Sequence, residues 1–168
     1  MPTPLSSPPK PVTDLWQPEL TRLPRLTPAR RAFRAFASRL MRLVSFICLK
    51  PTLHGLNNYP SAGPALVVFN HLGDADTALL LAALPAPPDA LGKIELYSFP
   101  ILGKLIDWYG IIWLHRGIPD RRALRAARAG LTDGRIILIA PEGRYTKLDG
   151  LEPGGNGAAF LALQSDVP

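Results

Sequence analysis

The chain has 168 residues, a single cysteine and a formal net charge of +6. That length supports one domain with a real core and excludes two comfortable ones, while the lone Cys48 excludes an internal disulfide and fits a reducing compartment as a small buried or lipid-facing hydrophobe. The basic balance points to an anionic partner, whether nucleic acid, a phospholipid surface or a phosphorylated substrate, beside the plain alternative of charge that only keeps the protein soluble.

Residues 1–28 are proline-rich and lack both an apolar period and the apolar core of a signal peptide, which predicts a disordered or extended tail. A helix should open at Thr27-Pro28, where threonine can cap and proline is tolerated in the first turn. Over 29–49, Phe33, Phe36, Leu40, Val44 and Ile47 share one face, and Arg31, Arg34, Ser38, Arg42 and Ser45 the other. This is the pattern of a basic amphipathic helix lying in a membrane interface. The competing reading is a surface helix that packs on the protein's own core and solvates its arginines. Pro51 ends the helix. The apolar run 43–49 falls far short of the ~20 residues needed to span a bilayer, so the chain lies on a membrane or avoids one.

From residue 64 the period changes. The runs 65–69, 94–97, 111–114 and 136–140 are short and apolar or β-branched, as buried strands are. Helical stretches lie between them: 76–84, stopped by Pro85, and 120–131, capped by Asp120 and closing at Gly134. Residues 100–109 read as a short helix or a structured loop. The expected fold class is therefore α/β, a mostly parallel sheet flanked by helices and preceded by the basic amphipathic helix. The expected organisation is a tail over 1–28, the helix over 29–50 and one domain over 51–168. Arg121, Arg122, Arg125 and Arg128 read as a solvated helix face, with phosphate or membrane contact as the alternative. No aromatic residues interleave with basic ones on a strand and no recognition-helix motif is present, so nucleic acid is not an expected partner.

The first strand run stops at Asn70-His71, and Asp76 follows His71 by five positions. A base held at a strand end and oriented by an acid is the core of acyl-transfer chemistry, although a loop histidine followed by a helix-capping acid has the same spacing. No G-x-S-x-G pattern is present and Cys48 sits in the amphipathic helix, so no acyl-enzyme nucleophile is visible. Arg116 and Arg144 follow strands, where α/β sheets place ligands, and could each grip an acidic head group in a fork or form a solvent-facing salt bridge. Glu142 is expected to organise its loop rather than react. The glycine-rich stretch 154–157 could aim backbone amides at an anion or simply turn. A metal site from His71, Asp74 and Asp76 would have only local ligands and ranks below the acid–base reading, so no metal and no cofactor is expected. His54 and His115 have no partner within reach along the sequence and read as structural.

Three further segments follow NHLGDAD (70–76) in a fixed order: 93–103, 109–117 and 140–162. Together they resemble the 1-acylglycerol-3-phosphate acyltransferase family of glycerolipid synthesis, over roughly 50–168. The resemblance implies His71 as general base, Asp76 as its orienting partner and Asn70 as a residue that shapes the loop. It implies Lys93, in the segment Lys93-Ile94-Glu95-Leu96, as a ligand of the substrate phosphate, and a second motif from Gly110 to Arg116. The third motif is present as Pro141-Glu142-Gly143-Arg144-Tyr145-Thr146, with its arginine one position early and Tyr145 in the usual place. Many members carry a serine where this chain has Gly73, and His115 stands where aspartate or another residue is usual. The implied substrate-binding set is Asn70, Lys93, Gly110, Arg116, Glu142, Gly143 and Arg144. Val167-Pro168 would open a fourth motif where the chain stops, which implies a fragment lacking its last strands.

Such a protein would move an acyl group from acyl-CoA or acyl carrier protein to a lysophospholipid, first of all 1-acylglycerol-3-phosphate. It would work from the cytoplasmic face of the cell membrane as a peripheral or monotopic protein. An imidazole suits the step, since its ordinary pKa of ~6.5 lets it take a hydroxyl proton at neutral pH. The alternatives are transfer to another hydroxyl acceptor, such as an amino-acid lipid, and a non-catalytic lipid-binding relative.

Overall fold

A computed structural model of the chain describes residues 11–147 and 151–168. Helix α1 (Pro28–Cys48) precedes strand β1 (Ala65–Val68), helix α2 (Ala75–Ala83) and strand β2 (Asp89–Lys93). Helix α3 (Leu102–Tyr109), strand β3 (Ile112–Leu114), helix α4 (Arg121–Thr132), strand β4 (Ile136–Ile139) and helix α5 (Gly157–Ser165) complete the order. The strands pair in the order β1-β4-β2-β3, every pair parallel. The expected α/β class is what forms.

Alternation along β3 divides the core. Ile112 faces one side, where Ala123, Ala126, Ala127 and Leu131 of α4 and Leu161 of α5 close over Ile137 and Ile139. Ile111 and Trp113 face the other, with Ile94 and Tyr109, against Phe33 of α1, Leu81 of α2 and Ile106 of α3. So α4 and α5 cover one face of the sheet, and α1, α2 and α3 the other. α4 approaches closely because its inner stripe is small: a methyl on Gly130 would stand 2.8 Å from Ile137 Cδ1.

β2 departs from the expectation. The apolar run 94–97 is not a strand but part of the 3₁₀ turn Ile94–Ser98, and the strand is the preceding Asp89–Lys93. Two features hide it in the sequence. Asp89 at its head is fully buried, and Gly92 makes room for Ile111, whose Cγ2 would lie 2.7 Å from an added Cβ.

α1 is capped as predicted, with Thr27 accepting from the Arg30 N–H at 3.2 Å. It is, however, turned polar side in. Arg34 is 4% exposed and Ser45 5%, whereas Phe46 is 70% and Ile47 65% exposed, with Phe36, Leu40, Leu43 and Val44 also outward. The reason is Asp89. Its carboxylate pairs with Arg34, and the other arm of that guanidinium donates to the carbonyls of Pro87 (2.7 Å) and Pro88 (2.9 Å). Arg135 takes the second Asp89 oxygen at 3.1 Å. Further along, Arg42 Nε donates to the Ala82 carbonyl at 2.9 Å, filling an acceptor that the end of α2 leaves open. The reading in which α1 packs its apolar face inward and solvates its arginines is thereby overturned. The apolar exterior continues onto α3, where Phe99, Ile101, Leu102, Leu105 and Trp108 are exposed and Phe33 meets Trp108 edge-on. Cys48 is exposed at the end of α1.

Of the two forms expected for the tail, the described residues take the extended one. Residues 11–27 form no helix or strand, yet they run as an extended strap along the edge strand β3. Leu15 and Leu20 reach the apolar cluster under α1, and Leu23 the one under α4. The Thr13 N–H donates to the Arg116 carbonyl at 3.1 Å, and Arg135 donates to the Pro24 carbonyl at 2.8 Å. A turn over 18–20 bends the segment, and Leu15, Leu20 and Leu23 hold it down.

Candidate active site

β1 runs out at Val68, and the chain turns over its C-terminal end to place His71 just before α2. Asp76, in the first turn of α2, folds back: its Oδ2 lies 2.8 Å from His71 Nδ1 and also accepts the N–H groups of Leu72 (2.6 Å) and Gly73 (3.0 Å). Three donors on one oxygen decide the protonation pattern. Burial pushes the Asp76 carboxyl up, but the His71 bond and the two backbone bonds outweigh it and hold its pKa below the usual value. A carboxylate at Nδ1 requires the hydrogen there, so Nε2 is the basic nitrogen of the ring. Asn70 is exposed beside it.

Tyr145 forms the opposite wall. Its ring stands edge-on to His71, centroids 4.7 Å apart at 88°, and its hydroxyl donates to Asp74. Burial first, and then the Asp74 carboxylate, push that hydroxyl up to about 12, so it remains a donor at neutral pH. Lys93, at the end of β2, lies over the Tyr145 ring at 5.2 Å and donates to its oxygen at 3.4 Å. Arg116, after β3, sends Nη2 (2.8 Å) and Nε (3.3 Å) to a single oxygen of Glu95, leaving Nη1 without a protein partner among the described residues. Burial raises the Glu95 carboxyl, but Arg116, the Glu95 backbone N–H and Thr13 together hold it below the usual value.

The third-motif loop is tied to the first. The Thr146 N–H donates to the His71 carbonyl at 2.6 Å. Glu142, buried, receives the Thr146 hydroxyl at 2.6 Å on one oxygen and the Glu152 N–H at 3.2 Å on the other. It organises the loop, as expected. Gly143 turns at φ 67°, a conformation its neighbours could not adopt cheaply.

Two candidates lie elsewhere. Arg144 is buried against Glu152, which accepts its Nε at 2.8 Å, so its charge is neutralised inside the loop and it does not face the His71 cleft. Gly110 ends α3 with φ 104°, packed on Pro24 and Arg30, and is a helix stop. In the glycine-rich stretch, the Gly155 N–H is already spent on the Pro141 carbonyl at 2.6 Å. Residues 148–150 of that motif lie outside the described residues. No group of three or more His, Cys, Asp or Glu side chains close enough to hold a metal occurs among the described residues.

His115 does have a partner, contrary to the sequence reading. Asp120, again five positions on, places Oδ2 2.8 Å from His115 Nδ1 and 3.0 Å from the His115 N–H. The ring is fully buried, Trp16 packs on it at 4.7 Å, and its Nε2 accepts the Gln17 N–H of the strap at 3.1 Å. The spacing was readable; the strap residue 98 positions away was not. A cavity of about 640 Å³, lined by Arg25, Arg31, Arg34 and Asp89 among others, lies at the N-terminal end of the strands, away from His71. His71 and Asp76 lie at the opposite end, beyond the C-terminus of β1.

A family model described as Acyltransferase matches residues 50–168. The chain is 37% identical over 105 residues to the lyso-ornithine lipid O-acyltransferase of Pseudomonas aeruginosa, an alignment covering 62% of this chain and 40% of that protein. It is 28% identical over 143 residues to a chloroplastic 1-acyl-sn-glycerol-3-phosphate acyltransferase of Brassica napus, covering 83% and 41%. The crystal structure of the 1-acyl-sn-glycerophosphate acyltransferase PlsC of Thermotoga maritima shares the fold, with a TM-score of 0.68 at 24% identity over 83% of this chain and 56% of that one. The chain thus spans about two fifths of the length of these curated relatives.

Proposed function

The chain belongs to the acyltransferase family, and from that premise we propose that it moves a fatty acyl group from acyl-CoA or acyl carrier protein to the hydroxyl of a lysophospholipid, with 1-acylglycerol-3-phosphate the leading acceptor. The observation that carries this reading is the 2.8 Å pair of His71 Nδ1 and Asp76 Oδ2 in an open cleft at the end of β1. The acceptor oxygen attacks the thioester carbonyl as its proton passes to His71 Nε2. Asp76 stays ionised and stabilises the imidazolium. The tetrahedral intermediate collapses with cleavage of the C–S bond, and the leaving thiolate takes the proton from Nε2. Cys48 lies exposed at the end of α1, outside the His71–Asp76 pair, which supports direct attack.

Lys93 and the free Nη1 edge of Arg116 would receive the acceptor phosphate. The test is mass spectrometry of lipids after the full chain, on liposomes, meets a panel of acyl donors and lysolipids. Phosphatidate should form from lysophosphatidate. Arg116→Ala should raise KM for that lipid by about 10- to 100-fold while sparing the donor, because a charge-assisted contact contributes ~1.5–3 kcal/mol. Arg116→Lys, lacking the fork, should recover only part of it. An equal loss for donor and acceptor would remove phosphate recognition from Arg116. The second reading, an acceptor bearing an ammonium group, is favoured by the Asp74 carboxylate held beside His71 through Tyr145, and the same panel decides it.

The outward apolar face of α1 and α3 supports docking on a membrane surface. No helix among the described residues is long and apolar enough to cross one. Replacing Phe36, Phe46 and Ile47 with serine should weaken sedimentation with liposomes by at least about 100-fold, with little salt dependence, since each buried side chain contributes ~1.5–3 kcal/mol. Unchanged sedimentation would place the membrane contact elsewhere.

A further inference from the structure

Arg121, Arg122, Arg125 and Arg128 lie along one exposed side of α4, and no acidic residue occurs between Arg121 and Thr132. Among the described residues the arginines at 22, 34, 116, 135 and 144 each pair with a carboxylate; these four do not, nor do those at 25, 30, 31, 39 and 42. Arg122 instead lies over the ring of Trp16. The placement runs against helix physics. Arg121 and Arg122 occupy the first turn, at the positive end of the macrodipole, and the last turn has no basic residue. Arg121 and Arg125 are like charges one turn apart, as are Arg125 and Arg128, and such pairs destabilise a helix. A face that only kept the protein soluble would mix signs or carry its cations at the other end.

Beside the arginines is a shallow hollow of about 260 Å³ lined by Trp16, Ile118, Pro119, Asp120, Arg121, Arg122 and Arg125, in which the Asp120 carboxylate is spent on His115 and on the N–H groups of Arg122 and Ala123. Trp16 is 61% exposed there. Apolar contact flanked by unneutralised guanidinium groups is what an acidic, amphipathic helix of another protein would match. The position selects among anionic partners. α4 covers the sheet face opposite α1 and α3, whose outward apolar surfaces face a bilayer under the reading above, so the arginines point to the aqueous side. α4 also begins at the strand ends where His71 sits. β1 and β3 are three strand spacings apart, about 14 Å, within reach of an extended pantetheine arm.

We propose that the arginine face of α4, with Trp16 and Ile118, is the docking surface for an acidic acyl carrier protein that delivers the thioester to His71. This rests on the acyl-transfer reading and adds the donor and its landing site. The experiment uses the full chain on liposomes, with palmitoyl carrier protein and palmitoyl-CoA as alternative donors. Arg125→Glu/Arg128→Glu should raise KM for the carrier protein by about tenfold or more, leave kcat in place and leave KM for palmitoyl-CoA within about twofold. Added salt should reproduce the effect in the unmodified chain. Arg125→Gln/Arg128→Gln, which removes charge without reversing it, should fall between the two. A KM for the carrier that does not move, a rise for palmitoyl-CoA instead, or loss of liposome binding would each overturn the proposal. If no donor is turned over by the unmodified chain, the acyl-transfer reading fails by itself. Equilibrium binding of palmitoyl carrier protein to the liposome-bound chain, weakened by the charge reversal or not, then still decides the surface.

Discussion

His71→Ala should abolish acyl transfer by a folded protein, and Asp76→Asn should slow it by about 10⁴-fold, the cost of removing the equivalent carboxylate from a serine-protease triad. His71 is only partly buried, and the loop contact it makes to Thr146 runs through its backbone carbonyl, so alanine keeps both the turn and that bond. What disappears is the base. Asparagine at 76 can still accept a backbone N–H, but it carries no charge to stabilise an imidazolium and can present its NH₂ group to Nδ1, forcing the other tautomer. Single-turnover acyl transfer with a labelled donor, alongside circular dichroism, measures both variants. Near-normal turnover of folded His71→Ala would sink the mechanism.

Arg34→Ala should cost about 3–5 kcal/mol of folding stability, the usual penalty for breaking a buried ion pair from one side. A domain of this size holds only about 5–15 kcal/mol in all, so the variant should lose a large part of its cooperative unfolding. The substitution strips Asp89 of its nearer cation, leaves the Pro87 and Pro88 carbonyls without their donor, and removes a guanidinium stacked 4.8 Å from the Tyr109 ring. Arg135 remains on the second Asp89 oxygen and should keep the loss toward the lower end. The double variant Arg34→Met/Asp89→Ala should be less destabilised than the sum of its parts, because it leaves no unpaired buried carboxylate. Urea denaturation measures both; a single variant as stable as the parent would mean that α1 is held by something other than this pair.

Much of the architecture was legible because the relevant signals are local. Thr27-Pro28 and Asp120 mark helix starts by their own side chains, and β1, β3 and β4 are apolar runs, the last of them buried throughout. His71 and Asp76 lie within one turn of chain, so their spacing alone allowed the contact. The largest losses come from partners far away in sequence. Asp89 gives no strand signal of its own, and its partner Arg34 lies 55 positions upstream. That ion pair conceals β2 and turns α1 around. Arg144 read equally as a phosphate ligand or a salt-bridge partner, and the structure gives it Glu152, eight positions on. Periodicity separated the faces of α1 correctly but could not say which of them turns inward, since an arginine that is solvated and one that is buried occupy the same helical position.

The two His-x₄-Asp pairs make a matched set. Both stand at strand ends, both hold 2.8 Å between Nδ1 and Oδ2, and in both the aspartate also takes a backbone N–H of the turn. They differ at the far nitrogen, open in His71 and covered by the Gln17 amide in His115. Whether such a dyad can act as a reagent or only as a brace is therefore written outside it, in a stretch of chain that contains neither residue. For lineages that carry this architecture, a dyad could be silenced, or a silent one exposed, by insertions and deletions in the amino-terminal strap alone. A survey that tallies the histidine and aspartate letters would count both kinds as equals.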